Sequence, residues 1–165
     1  MNERARLQRL AGFLYGFSAV MFAGAMLELL AARHFAELMQ LVPFALCAVG
    51  LAVTLLAWRR PSRNAIGALR LTMPVIIIAS LIGVWEHIEG NIGFIREMRP
   101  NTAGWDLAVG ALTGRAPLLA SGALAATAVV AVAATYAAGW ELPFRFARRS
   151  AAPAGSHPAS SRSPV

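Results

Sequence analysis

Four apolar stretches, Leu10 to Ala32, Leu41 to Trp58, about Leu69 to Ile88 and Ala116 to Trp140, decide most of what this chain can fold into. Each comes close to the roughly 20 residues that a helix needs to cross about 30 Å of hydrocarbon, where only helices and closed barrels satisfy every backbone group. None alternates with the period of two that marks a barrel strand, so the expected fold is an all-α membrane protein, a four-transmembrane-helix bundle. The third stretch carries Arg70 near its start and Pro74 in its first turns. An arginine one turn inside can extend its head to the interface, and proline is tolerated early in a helix. Composition agrees: 58% of the 165 residues are hydrophobic and 14% charged. Soluble domains have about 45–50% and 25%, so the excess apolar surface is expected to face lipid. A cleaved signal peptide is the competing reading of the first stretch, since Met1 to Arg9 is basic and Ala23-Gly24-Ala25 is small. That stretch outlasts an h-region of about 7–15 residues, and a second one follows at once.

Orientation follows from charge. All 15 basic residues are arginine; Arg4, Arg6, Arg9, Arg59, Arg60, Arg63, Arg70, Arg145, Arg148, Arg149 and Arg162 flank one side, and Arg33, Arg96, Arg99 and Arg115 the other. Under the positive-inside rule this places both termini and the link between the second and third stretches in the cytoplasm of a bacterial inner membrane. The acids Glu28, Glu37, Glu86, Glu89, Glu97 and Asp106 fall on the outer side, and Trp58, Tyr136, Trp140 and Trp85 fall where interfacial aromatic belts form. A net charge of +7 does not mark a nucleic-acid binder here, because the arginines lie between apolar runs rather than on one soluble face. Cys47 sits in an apolar run as an ordinary buried thiol.

The ends and links differ in character. Residues 1–149 make the expected transmembrane domain, and residues 150–165, small, polar and proline-rich, read as a disordered cytoplasmic tail. The outer link between the third and fourth helices spans about thirty residues, long enough to expect structure in it. Asn101 or Thr102 can cap a short helix there, with Trp105, Ala108, Val109 and Leu112 on one face, lying on the outer membrane surface. Gly12 and Gly16, and Ser121/Ala125 with Gly122/Ala126, have the small-xxx-small spacing that lets helices approach, read here as packing within one bundle in preference to a dimer seam.

Ionisable and amide side chains gather at the outer ends. Glu28 lies about one turn from the end of the first helix, followed by His34, Glu37 and Gln40; Glu86, His87, Glu89, Asn91 and Glu97 lie at the end of the third. Carboxylates inside spans are costly and face protein or water, so Glu28 is expected to be buried among the helices. His87 and Asn91 share a face if the third helix continues, although Gly90 and Gly93 oppose that. The candidate site is the cluster Glu28, His34, Glu37, His87, Asn91 and Glu97, with His34, His87, Asn91 and Glu97 converging. His34 and His87 are the ligand types that zinc, iron or manganese takes, but neither HExxH nor a paired Glu-x-x-His is present. A hydrogen-bonded structural network is the simpler reading.

Glu28, His34 and Gln40-Leu41-Val42-Pro43, then His87-x-x-Gly90-Asn91-x-x-Phe94-x-x-Glu97-Met98-x-Pro100, then Leu112-Thr113-Gly114-Arg115-Ala116-Pro117, resemble a family of small four-helix bacterial membrane proteins with no assigned activity. The resemblance covers roughly the first 140 residues and implies the topology and the same polar positions, but no substrate or cofactor. Phosphate loops, a Gly-x-Ser-x-Gly elbow and Cys-x-x-Cys are lacking, which leaves nucleotide use, serine hydrolysis and thiol redox without support. The expected function is a non-enzymatic accessory protein that docks a membrane or periplasmic protein partner at its outer face. The alternative is an outer-facing metal- or haem-binding redox or transport component.

Overall fold

The computed structural model describes residues 2–32, 40–114 and 118–140, and every regular element within them is helical. The helices are α1 (Glu3–Ala31), α2 (Leu41–Arg59), α3 (Arg63–Met98), α4 (Gly104–Thr113) and α5 (Leu118–Ala137). Three of them, α1, α2 and α3, are long and apolar enough to cross a membrane. The expected tail, 150–165, lies outside the described residues.

Two boundaries depart from the apolar runs. Helix α1 begins at Glu3 rather than near Leu10, because Arg, Leu, Gln and Ala in its first turns are all good helix formers whether or not lipid surrounds them. Helix α3 passes through Gly90 and Gly93 without a break and reaches 36 residues, about 54 Å. Each glycine costs roughly 1 kcal/mol relative to alanine in a helix interior. Packing of α4 along this end of α3 offsets that cost. Ser62 starts α3 as its N-cap, its hydroxyl accepting a hydrogen bond from the Ala65 amide at 3.2 Å.

Helices α1 and α3 each pack on both α2 and α5, so the four long helices enclose a common core, while α4 rests against α3. The interior is built largely of small side chains: Ala57, Ala128, Ala131, Ala134, Ser18 and Thr54 are all buried. Large apolar side chains point outward instead, with Phe13, Val20, Leu27, Leu71 and Ile78 all 60% or more exposed. A surface of that kind is unfavourable in water and matches a lipid environment, where small residues bring helices into contact. Two buried hydroxyls turn back onto their own helices, Ser18 donating to the Leu14 carbonyl at 2.9 Å and Thr127 to the Ala123 carbonyl at 2.7 Å, whereas those of Tyr15, Thr54 and Ser80 have no hydrogen-bond partner among the described residues.

Glycines set the separation between helices. Phe22 of α1 is fully buried, and its ring lies over Gly50 of α2 so closely that a Cβ there would be 2.6 Å from a ring carbon. The Trp58 ring of α2 covers Gly16 of α1, where a Cβ would meet it at 3.3 Å, and Gly83 of α3 faces Ser121 of α5. The Gly12/Gly16 pair is thus occupied within the chain by Trp58.

Gly50→Ala is expected to destabilise the protein by about 1–3 kcal/mol through overpacking against a ring that cannot rotate away. Gly24→Ala and Gly67→Ala, which meet nothing within 4 Å, should be neutral or mildly stabilising. Thermal unfolding in detergent checks this, and equal melting of all three variants would show that the Phe22–Gly50 contact does not limit helix approach.

Candidate functional site

Two polar arrangements interrupt the apolar packing, one toward each end of α3. The first centres on Arg70. Its Nε donates to the Thr135 hydroxyl at 3.0 Å, its Nη2 donates to the Trp140 carbonyl, and its guanidinium carbon lies 4.5 Å from the centre of the Tyr136 ring. Thr135 is fully buried and passes the bond on, donating to the Val132 carbonyl at 2.7 Å.

Local sequence explains why α5 offers this receptor. Gly139 adopts φ +85°, which glycine reaches without strain. The chain then closes a Schellman turn, in which the Gly139 amide donates to the Tyr136 carbonyl at 2.9 Å and the Trp140 amide to the Thr135 carbonyl at 3.1 Å. Trp140 folds back against the core and presents its carbonyl to Arg70. A cation here also complements the negative end of the helix dipole. Arg70 therefore turns across to α5 instead of only reaching for the interface.

The second arrangement joins α3 to α4. Asn91 is almost fully buried, and its side-chain amide donates to the Ala111 carbonyl at 3.0 Å. Gly110 on α4 and Gly114, the residue that caps its C-terminal end, are pressed onto α3. A Cβ on Gly114 would lie 2.5 Å from Asn91 Cγ, and one on Gly110 would lie 2.5 Å from Ile95 Cδ1. Residues 91 and 95 of α3 thus meet 114 and 110 of α4 in reverse order, and α4 runs back along α3 as a helical hairpin. The turn between them, 99–103, brings α4 in through Ala103 as N-cap and Gly104 at φ +61°. Neither Asn101 nor Thr102 is the cap, because the left-handed step at Gly104 reverses the chain only after both have been passed.

The expected cluster is only partly drawn together. Asn91 anchors the hairpin, with half-buried His87 one turn earlier on the same helix. Glu97 is exposed, about 120° away from Asn91 around α3 by helical phase. Glu28 is exposed, contrary to the expected burial. The buried stripe of α1 runs through Ala11, Tyr15, Ser18 and Phe22, and six residues beyond Phe22 the helix has turned Glu28 about 120° off that stripe. His34 and Glu37 lie outside the described residues. Among the described residues, no three or more His, Cys, Asp and Glu side chains gather closely enough to hold a metal ion.

Arg70 and Asn91 are the polar residues whose partners the sequence reading missed. The signal for Arg70 was available as Ala138-Gly139-Trp140, a helix stop with an exposed carbonyl at the matching height. That for Asn91 was Gly110-x-x-x-Gly114, a small-xxx-small face on the short helix. Comparison of the chain with family models, with curated proteins and with solved structures finds no match.

Arg70→Met retains the apolar stem and removes both charged hydrogen bonds, each worth about 1.5–3 kcal/mol. It should lower the melting temperature in detergent and speed amide exchange at 136–140, whereas Arg63→Met should do neither. Asn91→Leu leaves the Ala111 carbonyl without this donor, at about 1–3 kcal/mol. Limited proteolysis should then cut 99–104 faster while the four long helices stay protected. Unchanged cleavage would mean that the glycine contacts alone hold α4.

Proposed function

We propose that this is a bacterial inner-membrane protein whose four long helices all cross the bilayer, with both termini cytoplasmic, and that the α3–α4 hairpin is the outer surface on which a membrane or periplasmic protein partner docks. It acts as an accessory protein, not as an enzyme. The observation that carries this reading is the length of α3: 36 residues reach about 54 Å, against roughly 30 Å of hydrocarbon. Trp85, followed by Glu86 and Glu89, suits the outer interface. Thirteen residues further, Met98 stands about 20 Å beyond it.

Large apolar groups remain uncovered on that overhang. Trp105 is 80% exposed and Met98 67%, with Phe94 and Leu112 also exposed. At such a height lipid tails do not cover them, and exposed aromatic and methionine side chains are the groups enriched at protein interfaces. A hairpin pinned by a buried asparagine is pre-organised, which lowers the entropy lost on binding. The metal- or haem-binding alternative relies on His34, which lies outside the described residues.

Alkaline phosphatase fused at Asn101 should be active and fused after Trp140 inactive; the reverse would overturn the topology. A photo-crosslinking amino acid at Trp105 or Met98 should capture a specific protein in intact cells, whereas one at Leu71 or Ile78, on the lipid-facing surface, should not. Equal capture at all four positions, or at none, would sink the docking surface.

A further inference from the structure

At the other end of α3 the turn from α2 forms an opening of a different kind. Leu56, Ala65 and Ala68 form an apolar wall between the two helices, and Arg60, Ser62 and Asn64 stand at its mouth. Arg60 lines this opening, and Arg59 and Arg63, its neighbours in sequence, are also exposed. No acidic residue occurs in the sequence between Glu37 and Glu86, so three positive charges have no carboxylate within that stretch to balance them; Glu141 lies outside the described residues. Glu3, at the start of α1, lies about 20 Å along that helix from Gly16, which packs on Trp58 next to the turn. The first turn of α3 contains no acid, and the Ser62 hydroxyl is already engaged with the Ala65 amide.

We propose that this turn binds an anionic phospholipid, its phosphate held by Arg60 and Arg63 with Arg59 alongside, and one acyl chain lying against Leu56, Ala65 and Ala68. This rests on the reading that α2 and α3 cross the bilayer. Charge complementarity identifies the headgroup: guanidinium groups bind phosphate oxygens in paired hydrogen bonds, and basic clusters next to a span attract anionic lipids. The apolar wall identifies the rest of the ligand. A free phosphate has no use for a groove between helices, whereas an acyl chain fills the space left where α3 carries alanine at 65 and 68.

The test places the full-length protein in nanodiscs of phosphatidylcholine and phosphatidylglycerol in equal amounts and reads the lipid retained on the protein by native mass spectrometry. Phosphatidylglycerol should be retained in preference to phosphatidylcholine. Its retention should fall roughly fivefold for each arginine removed, about 25-fold in Arg60→Gln/Arg63→Gln. The equally charged control Arg4→Gln/Arg6→Gln should retain it as the unaltered protein does. Ala68→Phe, which fills the groove and leaves every charge in place, should also reduce retention. Equal loss in both arginine pairs would reduce the effect to net charge and overturn the site. Displacement by millimolar inorganic phosphate, or no loss in Ala68→Phe, would overturn the lipid assignment. Failure of the protein to enter nanodiscs when detergent is withdrawn would overturn the membrane-crossing reading and the site with it, an outcome distinct from entry without selective retention.

Discussion

Close approach of helices over glycine is the constraint on which the rest of this structure depends. Phe22 sits on Gly50, Trp58 on Gly16, Ile95 on Gly110 and Asn91 on Gly114, so a side chain of one helix repeatedly lies where the next has no Cβ. In an apolar solvent helices gain little from burying apolar surface, and contact distance governs what they do gain. Small residues inside and large ones outside then follow from one requirement. The pattern also explains why the buried hydroxyls of Ser18, Thr127 and Thr135 bond to carbonyls of their own helices: between helices this close, few other partners are within reach.

The Arg70 arrangement shows how a charge is accommodated in such an interior. A guanidinium has several donors in a fixed plane, and here they are directed at a threonine hydroxyl and at the carbonyl exposed where α5 ends. The Schellman turn at Gly139 makes that carbonyl available, and the Tyr136 ring covers the cation from another direction. One residue thereby ties α3 to the end of α5. Its role is structural, and the negative end of the α5 dipole supplies part of its counter-charge.

The two ends of α3 suit two different kinds of contact, under the proposed topology. Its start carries exposed arginines at an apolar groove, and its far third carries exposed aromatic and methionine side chains on a hairpin held by Asn91. The difference arises because α3 is much longer than the helices beside it. What lies level with α1, α2 and α5 is covered by them on its inner face, and among the described residues what projects beyond is covered on one side by α4. Docking surface and lipid site are therefore separable properties of one helix.

The sequence by itself determined that the chain is helical and where α2 lies, and of the four stretches it marked as membrane-crossing, three form helices long and apolar enough to do so, because length and hydropathy are local properties. It also marked Asn91 as a notable polar residue and Gly12/Gly16 as a place of close approach. It left open what Asn91 contacts and how far α3 runs, and its expectation that Glu28 is buried was wrong. Glu28 illustrates the reason: a carboxylate near a helix end looks buried by position, yet its direction depends on the helical phase that packing selects, and α1 is phased by Phe22 on Gly50. Likewise, the two glycines in α3 argue for a break when read locally, whereas the helix runs through both and packs α4 along the same end. Arg70 finds its partners on a segment 65 residues away. Tertiary structure decided these points because each turns on which distant backbone arrives at the same height, and local pattern carries no record of that.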